Sequence, residues 1–388
     1  MGSEKTTQAL LYLMRCALHG QKPEPIPELD YEALYKLSVS HSVVAMVAMA
    51  LESGKILEEP YVTNECRKKW NDARVKAVRK NILFDEERAQ ILQKFEADGV
   101  WYLPLKGVVL KDMYPKMGMR QMSDNDILFD PTYQQRLKEY MESRGYQTIA
   151  FNTGNHDAYE KMPVYRFEFH TVLFNSYSFP EWVAYYEEIK QRLVKDSENE
   201  YGYHFSDEDF YIYLLLHGYK HFSNYGNGIR FLTDIFVFLQ KKKQQLNQTY
   251  VSEELKKLEI DEFESMISKL AVKLFQEEQT EELTEEEQSV LSKLIGSGTY
   301  GTVDNHVEGE LRKLQRDVEP ITVLTRVRYI VRRLFPDRGF MKEYSAFCRK
   351  HPWSIPFVRI YRIIKAFMSR RKFIGQEIKA IKKERKER

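Results

Sequence analysis

Residues 164–174, with the sequence VYRFEFHTVLF, alternate between polar and apolar side chains. Such alternation predicts a β-strand, because successive side chains of a strand point to opposite faces of a sheet. On this strand Arg166, Glu168 and His170 share one face, and the two phenylalanines between them point to the other. The chain must therefore pair this strand within a sheet that has one polar and one apolar face.

The segments around this strand define the fold class. Residues 100–107 (VWYLPLKG) and 146–151 (YQTIAF) predict further strands, whereas the two ends of the chain carry apolar residues three and four positions apart, as amphipathic helices do. The sequence therefore predicts an α+β protein in three parts. These parts are an N-terminal helical region over residues 1–98, a mixed core over 99–180, and a C-terminal helical region with a basic tail over 181–388.

The sequence DNDILF, residues 124–129, places two aspartates at the start of an apolar run. If this segment is extended, Asp124 and Asp126 point to the same side. Their like charges then disfavour joint ionisation unless a cation lies between them. Because Asp and Asn are also common at solvated strand ends and turns, the spacing leaves both a cation site and a plain strand end open.

Glu168 supplies a third carboxylate if its strand face is the one that carries Asp124 and Asp126. Three such groups can hold two Mg²⁺ ions, which stabilise the attacking and leaving oxygens of an in-line phosphoryl displacement. Magnesium is the expected metal because the sequence shows no Cys or His cluster of the kind that zinc prefers. His170, two residues from Glu168, is expected to share a proton with it and to tune it as a base.

Two other uses of an Asp-x-Asp motif fit the sequence less well. An EF-hand loop that starts at Asp124 needs a ligand and a glycine where the chain has Leu128 and Phe129. In glycosyltransferases, by family analogy, the apolar strand precedes the acids, whereas here MGMRQMS precedes them and ILF follows. The order of the segments favours a nucleotidyltransferase.

Several motifs in chain order resemble a bacterial family of uncharacterised nucleotidyltransferases within the polymerase-beta-like nucleotidyltransferase superfamily. They are LPLKG, MYP, GMRQMSDNDILF, FEFH and LLLHGYKHFSNYGNGIRFLTDIFVFL, and the likeness extends to RRLFPDRGFMKEY and WSIPFVRIYRI. The resemblance implies a mixed sheet flanked by helices, with Mg²⁺ and a nucleoside triphosphate, ATP as first choice, bound at one sheet edge. It also implies that Asp124 and Asp126 are metal ligands and that Glu168 is the third acid, as ligand or general base.

Four residues are candidates for phosphate binding, the first two by the same resemblance and the other two by their positions next to the aspartates. Where the superfamily usually has Gly-Ser, this chain has Lys106-Gly107, so the Lys106 ammonium is expected to replace the serine hydroxyl. Gly107 allows close backbone approach and precedes helix N–H groups, although a plain turn would also use a glycine. Arg120 is expected to pair with a phosphate or with the nearby carboxylates, and Ser123 is a weaker phosphate candidate.

The helical stretch after residue 210 is expected to close over the nucleotide and to form the acceptor pocket. His217 and His221 are four residues apart and so share a helix face, but the glutamate of a zinc-protease motif is absent. Arg230 and Asp234 are one turn apart, which also fits an ordinary intrahelical ion pair. The candidate residues of this pocket are His170, His217, His221, Arg230 and Asp234.

The C-terminal segment is strongly basic. Residues 321–388 contain 20 Lys plus Arg against 5 Asp plus Glu, a charge that can attract nucleic acid, an acidic membrane surface or a phosphate. Apolar residues at helical spacing favour a simpler interpretation, namely two helices that each bury one apolar face. These residues are Leu324, Val327, Val331 and Leu334 in the first helix and Phe357, Ile360, Ile364 and Phe367 in the second.

The remaining features place limits on location and function. Three scattered cysteines and the lack of a bilayer-length apolar run predict a cytoplasmic protein. The predicted function is magnesium-dependent transfer of an NMP group from an NTP to a hydroxyl-type acceptor, such as a small molecule, a protein or RNA, with release of pyrophosphate. Two alternatives stay open: a catalytically inactive interaction module of the same fold, and a nucleic-acid-binding protein that uses the basic C-terminal helices.

Overall fold

The structure is a computed structural model that describes residues 2–278, 281–299, 301–315, 322–369 and 371–383. Its strands are β1 (Tyr102–Pro104), β2 (Asn125–Phe129), β3 (Gln147–Ala150), β4 (His156–Lys161), β5 (Tyr165–His170), β6 (Leu193–Lys195) and β7 (Tyr203–Phe205). Its helices before residue 200 are α1 (Gly2–His19), α2 (Tyr31–Ser40), α3 (Val44–Ser53), α4 (Asn64–Asp98), α5 (Gly107–Leu110), α6 (Gln134–Ser143) and α7 (Pro180–Tyr185). The later helices are α8 (Asp207–Phe222), α9 (Ile229–Lys242), α10 (Gln248–Lys257), α11 (Asp261–Phe275), α12 (Glu285–Ser297), α13 (Val303–Gln315), α14 (Val323–Leu334), α15 (Arg338–Tyr344), α16 (Ala346–Lys350), α17 (Ile355–Ser369) and α18 (Arg371–Lys383).

Strands β1 to β5 form one mixed sheet in the order β1-β2-β5-β4-β3. Strand β2 runs parallel to β5, and the other neighbouring strands are antiparallel. In the β2–β5 register Asp126 lies opposite Glu168. Because directly paired residues point to the same face of a sheet, the predicted convergence of these two acids on one face is confirmed.

The opposite face of the sheet carries the aromatic core. Phe129 of β2 and Phe167 and Phe169 of β5 are fully buried against α4 and α6. Phe95 of α4 packs on Phe129 and Phe169 with ring centroids 5.9 Å apart in both pairs. This apolar face anchors β2 and β5, so Asp126, Glu168 and His170 point to the other side, where the candidate residues lie.

Two strand regions were missed by the sequence analysis. Strand β4 (HDAYEK) carries polar side chains on both faces, so it lacks the alternation that identifies β5. Strands β6 and β7 have three residues each, too few to show a period, and lie in a region where only helices were predicted. The α+β class, with helices on both sides of the central sheet, is confirmed.

A second and larger core joins the N-terminal helices to the helices after the sheet. Leu13 of α1, Met46 of α3, Leu215 of α8 and Ile235 of α9 are fully buried members of this one cluster. Helix α4 spans 35 residues and contributes to both cores through Trp70 and others of its apolar residues. The predicted three-part division of the chain stays a prediction.

The C-terminal helices form where predicted, but their predicted packing is wrong. Leu324 and Val331 of α14 are 57% and 53% exposed, and Phe357 and Ile360 of α17 are 67% and 58% exposed. Helix α14 instead buries Tyr329, whose hydroxyl donates to a carboxylate of α18. The other residues of the predicted buried faces, Val327, Leu334 and Ile364, are also exposed, and the side chain of Phe367 lies outside the described residues.

Within the described ranges no helix combines the length and apolar character that crossing a membrane requires.

Candidate active site

A cavity of about 900 Å³ opens between the polar face of the sheet and helices α4, α8 and α9. Its volume lies within the range of roughly 300 to 1,000 Å³ that is typical of small-molecule sites. The structure brings every candidate residue predicted from the sequence to the wall of this cavity. They are Lys106, Gly107, Arg120, Ser123, Asp124, Asp126, Glu168, His170, His217, His221, Arg230 and Asp234.

Three carboxylates lie on the sheet side of the cavity. Asp124 directly precedes β2, Asp126 lies within it, and Glu168 is the partner of Asp126 on β5. Burial raises the pKa of Asp124 to about 6, and the nearby negative charges of Asp126 and Glu168 add to the shift. Burial and the two neighbouring carboxylates together therefore disfavour the ionised form of Asp124.

Asp126 differs from Asp124 because two hydrogen-bond donors stabilise its negative charge. Its Oδ1 accepts hydrogen bonds from Lys106 Nζ at 2.6 Å and from His170 Nε2 at 2.9 Å. Burial alone would raise the pKa of Asp126, but the Lys106 ammonium and the His170 ring outweigh it and lower the pKa well below its usual range. Asp126 therefore stays ionised throughout the physiological pH range.

The prediction that His170 shares a proton with Glu168 is wrong. His170 Nε2 bonds to Asp126, while Asn155 Nδ2 lies 3.3 Å from His170 Nδ1 and donates to it, which assigns the ring proton to Nε2. Glu168 instead accepts from Arg166 at 3.1 Å and faces His156 at 3.6 Å. Glu168 and His170 share a strand face, as predicted, but His170 forms its hydrogen bond with Asp126 on the neighbouring strand β2.

Lys106 adopts a backbone conformation that is unusual for a side-chain-bearing residue. Its φ of 47° and ψ of −117° lie in a region that favours glycine and that costs other residues about 1 to 3 kcal/mol. The hydrogen bond from Leu105 N to the carbonyl of Asp126 holds the preceding residue to β2. This turn directs Lys106 towards the carboxylates.

Gly107 is required by close packing. A Cβ at this position would lie 2.1 Å from Arg120 NH1 and 2.9 Å from Met122 Sδ. The helix that follows, α5, spans only four residues, so it offers a much weaker N-terminal dipole than the sequence suggested. The structure thus accounts for the glycine by its contact with the Arg120 guanidinium.

Arg120 does not pair with Asp124 or Asp126, the two carboxylates that follow it closely in the sequence. Its Nε and NH2 donate to the two oxygens of Asp234 at 2.8 and 3.0 Å, and the Tyr114 hydroxyl donates to the same carboxylate at 2.6 Å. All three side chains are buried. This bidentate ion pair joins the segment before β2 to α9, while Arg230 NH1 donates to the carbonyl of Gln121 at 3.1 Å.

The remaining cavity wall is basic. Helix α4 contributes Lys76 and Lys80, and Lys80 Nζ donates to the carbonyl of Ser123 at 3.1 Å. Helix α8 contributes Lys220, whose pKa falls to about 8 because of burial and because of the Lys106 charge. Apart from the Arg120–Asp234 pair, six cationic side chains face three carboxylates, so the cavity favours an anionic ligand.

The sequence does not mark Lys76 and Lys80 as site residues, because their spacing of four residues on a charged helix is the same as that of any solvated helix face. It does not mark His156 either, because the β4 sequence has no strand-like alternation. The only local signal for the two lysines is that shared helix face, which does not reveal whether it borders a cavity.

Histidines gather around the carboxylates in a way that the sequence spacing does not show. One ligand atom from each of His156, Glu168 and His170 lies within 4.8 Å of the others. Across the cavity, His217 Nε2 and His221 Nε2 lie 3.2 Å apart. The sequence predicted no histidine cluster and on that ground excluded softer metals, and this prediction is wrong. Burial lowers the pKa of His156 and His170 to about 4 in each case, which leaves both rings neutral and able to bind a metal.

The part of the chain that contains this site matches a known protein family. A family described as uncharacterised nucleotidyltransferase matches residues 27–276, which is more than half of the chain. The chain belongs to this nucleotidyltransferase family. The matched range contains all the candidate residues, and membership supports nucleotidyl transfer as the general activity. No curated protein and no solved structure gives a significant match.

Proposed function

We propose that the protein transfers an NMP group from a nucleoside triphosphate, with ATP as the expected donor, to a hydroxyl-type acceptor. The observation that carries this proposal is the convergence of Asp124, Asp126 and Glu168 on one wall of a cavity whose other walls are basic. Such a site combines ligands for a divalent cation with positive charge for a polyphosphate. Family membership supports the same reaction class.

The reaction balances without a further co-reactant. The acceptor oxygen forms a bond to the α-phosphorus of the NTP, and the bond from that phosphorus to the oxygen bridging the β-phosphate breaks. Pyrophosphate leaves with that bridging oxygen, and the acceptor proton passes to a base. We assign the base to Glu168, which lies opposite Asp126 on the cavity wall but, unlike Asp126, accepts no hydrogen bond from Lys106 or His170 among the described residues.

Asp124, Asp126 and Glu168 would hold the metal, which we propose to be magnesium. The raised pKa of Asp124 supports this assignment, because a divalent cation would stabilise the ionised form that burial and the charges of Asp126 and Glu168 disfavour. Oxygen ligands suit both Mg²⁺ and Mn²⁺, whereas the imidazoles of the adjacent His156 and His170 are ligands that softer metals prefer. When bound, the metal would supply charge neutralisation and polarise the phosphate.

The lysines and the histidines of the cavity have separate proposed roles according to their positions. Lys106 and Lys80 lie beside the carboxylates and would contact the triphosphate. His217 and His221 on α8 lie across the cavity and would line the acceptor pocket. Burial lowers the pKa of His221 to about 3, so this pocket would offer a neutral hydrogen-bonding surface at neutral pH.

The experiment that tests the function follows the fate of two phosphate labels. The purified protein is incubated with each NTP, labelled at the α or the γ phosphate, in the presence of magnesium or manganese and fractions of a cell extract. The proposal expects α label to enter an acceptor and γ label to leave in pyrophosphate. Asp126→Asn should abolish the transfer, whereas Glu160→Gln, which alters an acid on the neighbouring strand β4 outside the cavity, should not.

Transfer of the γ label would indicate a kinase and overturn the proposal. Failure to bind any NTP in the presence of either metal would favour the inactive interaction module. Binding of nucleic acid that weakens steeply with salt and ignores the Asp126→Asn change would favour the basic C-terminal helices as the functional surface.

A further inference from the structure

Helix α17 displays an apolar face to solvent. Trp353, just before the helix, and Phe357 are 68% and 67% exposed, and Ile364 and Met368 are 53% and 75% exposed. Spacings of four, seven and four residues align these side chains along one side of the helix. Ile360 and Tyr361 lie on the same stripe and are 58% and 59% exposed. We call these six residues the α17 apolar face.

Helix α14 lies next to α17 and is exposed in the same way. Arg362 NH2 of α17 donates to the carbonyl of Leu334 at 3.2 Å, and Arg359 NH2 donates to the carbonyl of Pro336. Val323, 73% exposed, and Val331 add further apolar surface on α14. Exposed side chains of this size on two neighbouring helices mark an interaction surface.

The charge around these helices is almost wholly positive. Residues 322–369 contain 11 Lys plus Arg and only two acids, Asp337 and Glu343. Both acids are engaged within the protein, because Tyr177 OH donates to Asp337 at 2.7 Å and the Asn175 and Ser176 side chains donate to Glu343. A partner that approaches these helices therefore meets positive charge together with an apolar stripe.

We propose that the α17 apolar face and its basic surroundings dock onto an anionic lipid bilayer. An amphipathic helix with Trp, Phe and Ile on one side and Arg and Lys around it lies stably at the boundary between headgroups and acyl chains. Each basic side chain near an anionic membrane surface adds a favourable electrostatic contribution. Trp353 and Tyr361 are residues of the type that is enriched at this boundary.

Two other occupants fit the surface less well. A second copy of the chain would bring two such segments together, each with a net charge of nine from 11 basic and two acidic residues, and the like charges would repel. Nucleic acid would match the positive charge, but it offers no place to bury a stripe of aliphatic side chains. An anionic bilayer satisfies both the charge and the apolar surface.

The docking surface is connected to the sheet that carries the candidate active site. Glu343 of α15 accepts hydrogen bonds from Asn175, Ser176 and the Tyr177 amide, all on the loop that follows β5. Docking would therefore hold the cavity close to a membrane surface. Membrane docking would determine the location of the protein, whichever reaction takes place in the cavity.

Vesicle co-sedimentation of the full chain tests the proposal. One set of vesicles contains phosphatidylcholine alone, and the other contains about 30% phosphatidylglycerol. The protein should sediment with the anionic vesicles, and Ile364→Glu should weaken this binding at least about tenfold, because it places a charge on the face that enters the bilayer. The matched control is Ile82→Glu on α4, which has the same change of charge at a side chain that is 52% exposed.

Three results would overturn the proposal. The first is no sedimentation with the anionic vesicles, and the second is an equal loss of binding for Ile364→Glu and Ile82→Glu. The third is a concentration-dependent dimer that Ile364→Glu dissociates, observed without vesicle binding. Since none of these measurements uses catalysis, a failure of the proposed nucleotidyl transfer would leave the vesicle result unchanged.

Discussion

Lys106 Nζ lies 2.6 Å from Asp126 Oδ1 in a buried ion pair, and His170 Nε2 donates to the same oxygen at 2.9 Å. The pair joins the strained turn after β1 to β2, the second strand of the sheet. Because a buried ammonium and carboxylate are stable only together, Asp126 is needed for the fold as well as for the proposed chemistry.

Replacing Asp126 should therefore destabilise the protein. Asp126→Asn leaves Lys106 buried without its counter-charge, and we expect the free energy of unfolding to fall by about 3 to 5 kcal/mol. Repulsion between Asp124 and Asp126 by itself would predict the opposite sign. Urea denaturation in the presence of a chelator measures the change. Glu160→Gln, which removes a partly exposed partner of Arg166, should change stability by less than about 1 kcal/mol.

Replacing Asp124 should have the opposite effect and should depend on pH. The folded protein raises the pKa of Asp124 to about 6, from about 3.9 in an unfolded chain, so the folded state binds this proton more tightly. Its contribution to stability is fully present below about pH 4 and is lost as pH rises through 6. Asp124→Asn should remove this pH-dependent loss of stability, which amounts to roughly 2 to 3 kcal/mol at pH 7.

The measurement is urea denaturation of the parent and Asp124→Asn at several pH values between 4 and 7, in the presence of a chelator. The difference between the two proteins should grow with pH. A difference that is independent of pH would show that the folded state does not raise the pKa of Asp124. Added magnesium should stabilise the parent at pH 7 and should have little effect on the variant.

Lys106→Ala should weaken NTP binding much more than NMP binding. The expected loss is about 1 to 3 kcal/mol, the value of a charge-assisted hydrogen bond to the β or γ phosphate. Calorimetry with an NTP and the corresponding NMP measures both affinities. Lys94→Ala serves as the control, because Lys94 makes an ion pair of the same 2.6 Å length outside the cavity. Equal losses for the two nucleotides would place Lys106 away from these phosphates.

Glu168→Gln separates metal binding from proton transfer. We expect weaker magnesium-dependent NTP binding together with a loss of rate of roughly 10² to 10⁴, because the residue would both hold the metal and accept the acceptor proton. Calorimetry and single-turnover transfer give the two quantities. Glu160→Gln removes the other carboxylate partner of Arg166 and should leave both unchanged. A Glu168→Gln protein with normal affinity and rate would exclude the residue from the site.

Asp234→Asn tests whether Arg120 is structural. The change leaves the buried Arg120 guanidinium without its carboxylate, so unfolding should become easier by about 3 to 5 kcal/mol with or without NTP. Denaturation at both conditions is the measurement. Asp207→Asn, which breaks the more exposed pair with Lys242, should have a small effect. Normal stability combined with lost NTP binding would instead assign Arg120 to the phosphates.

The identity of the candidate residues follows from local sequence in most cases. A period of two places Asp124 with Asp126 and places Glu168 with His170, and the structure retains both groupings. The helical ends and the strand at 164–174 are likewise visible as apolar periodicity, since each segment must bury one side. Local periodicity states which side chains share a face, and no more than that.

The partners of these residues were decided by the tertiary structure. Arg120 and Asp234 are 114 positions apart, and His170 and Asp126 are 44 apart, so no local spacing relates them. Because β2 pairs in parallel with β5, His170 bonds to Asp126 and not to Glu168. The packing of α4 places Lys80 at the cavity wall. At the C-terminus the sequence alone determined that α14 and α17 are amphipathic helices. The tertiary structure decided that their apolar faces meet solvent, because periodicity specifies an apolar face and only the packing of the whole chain specifies what covers it.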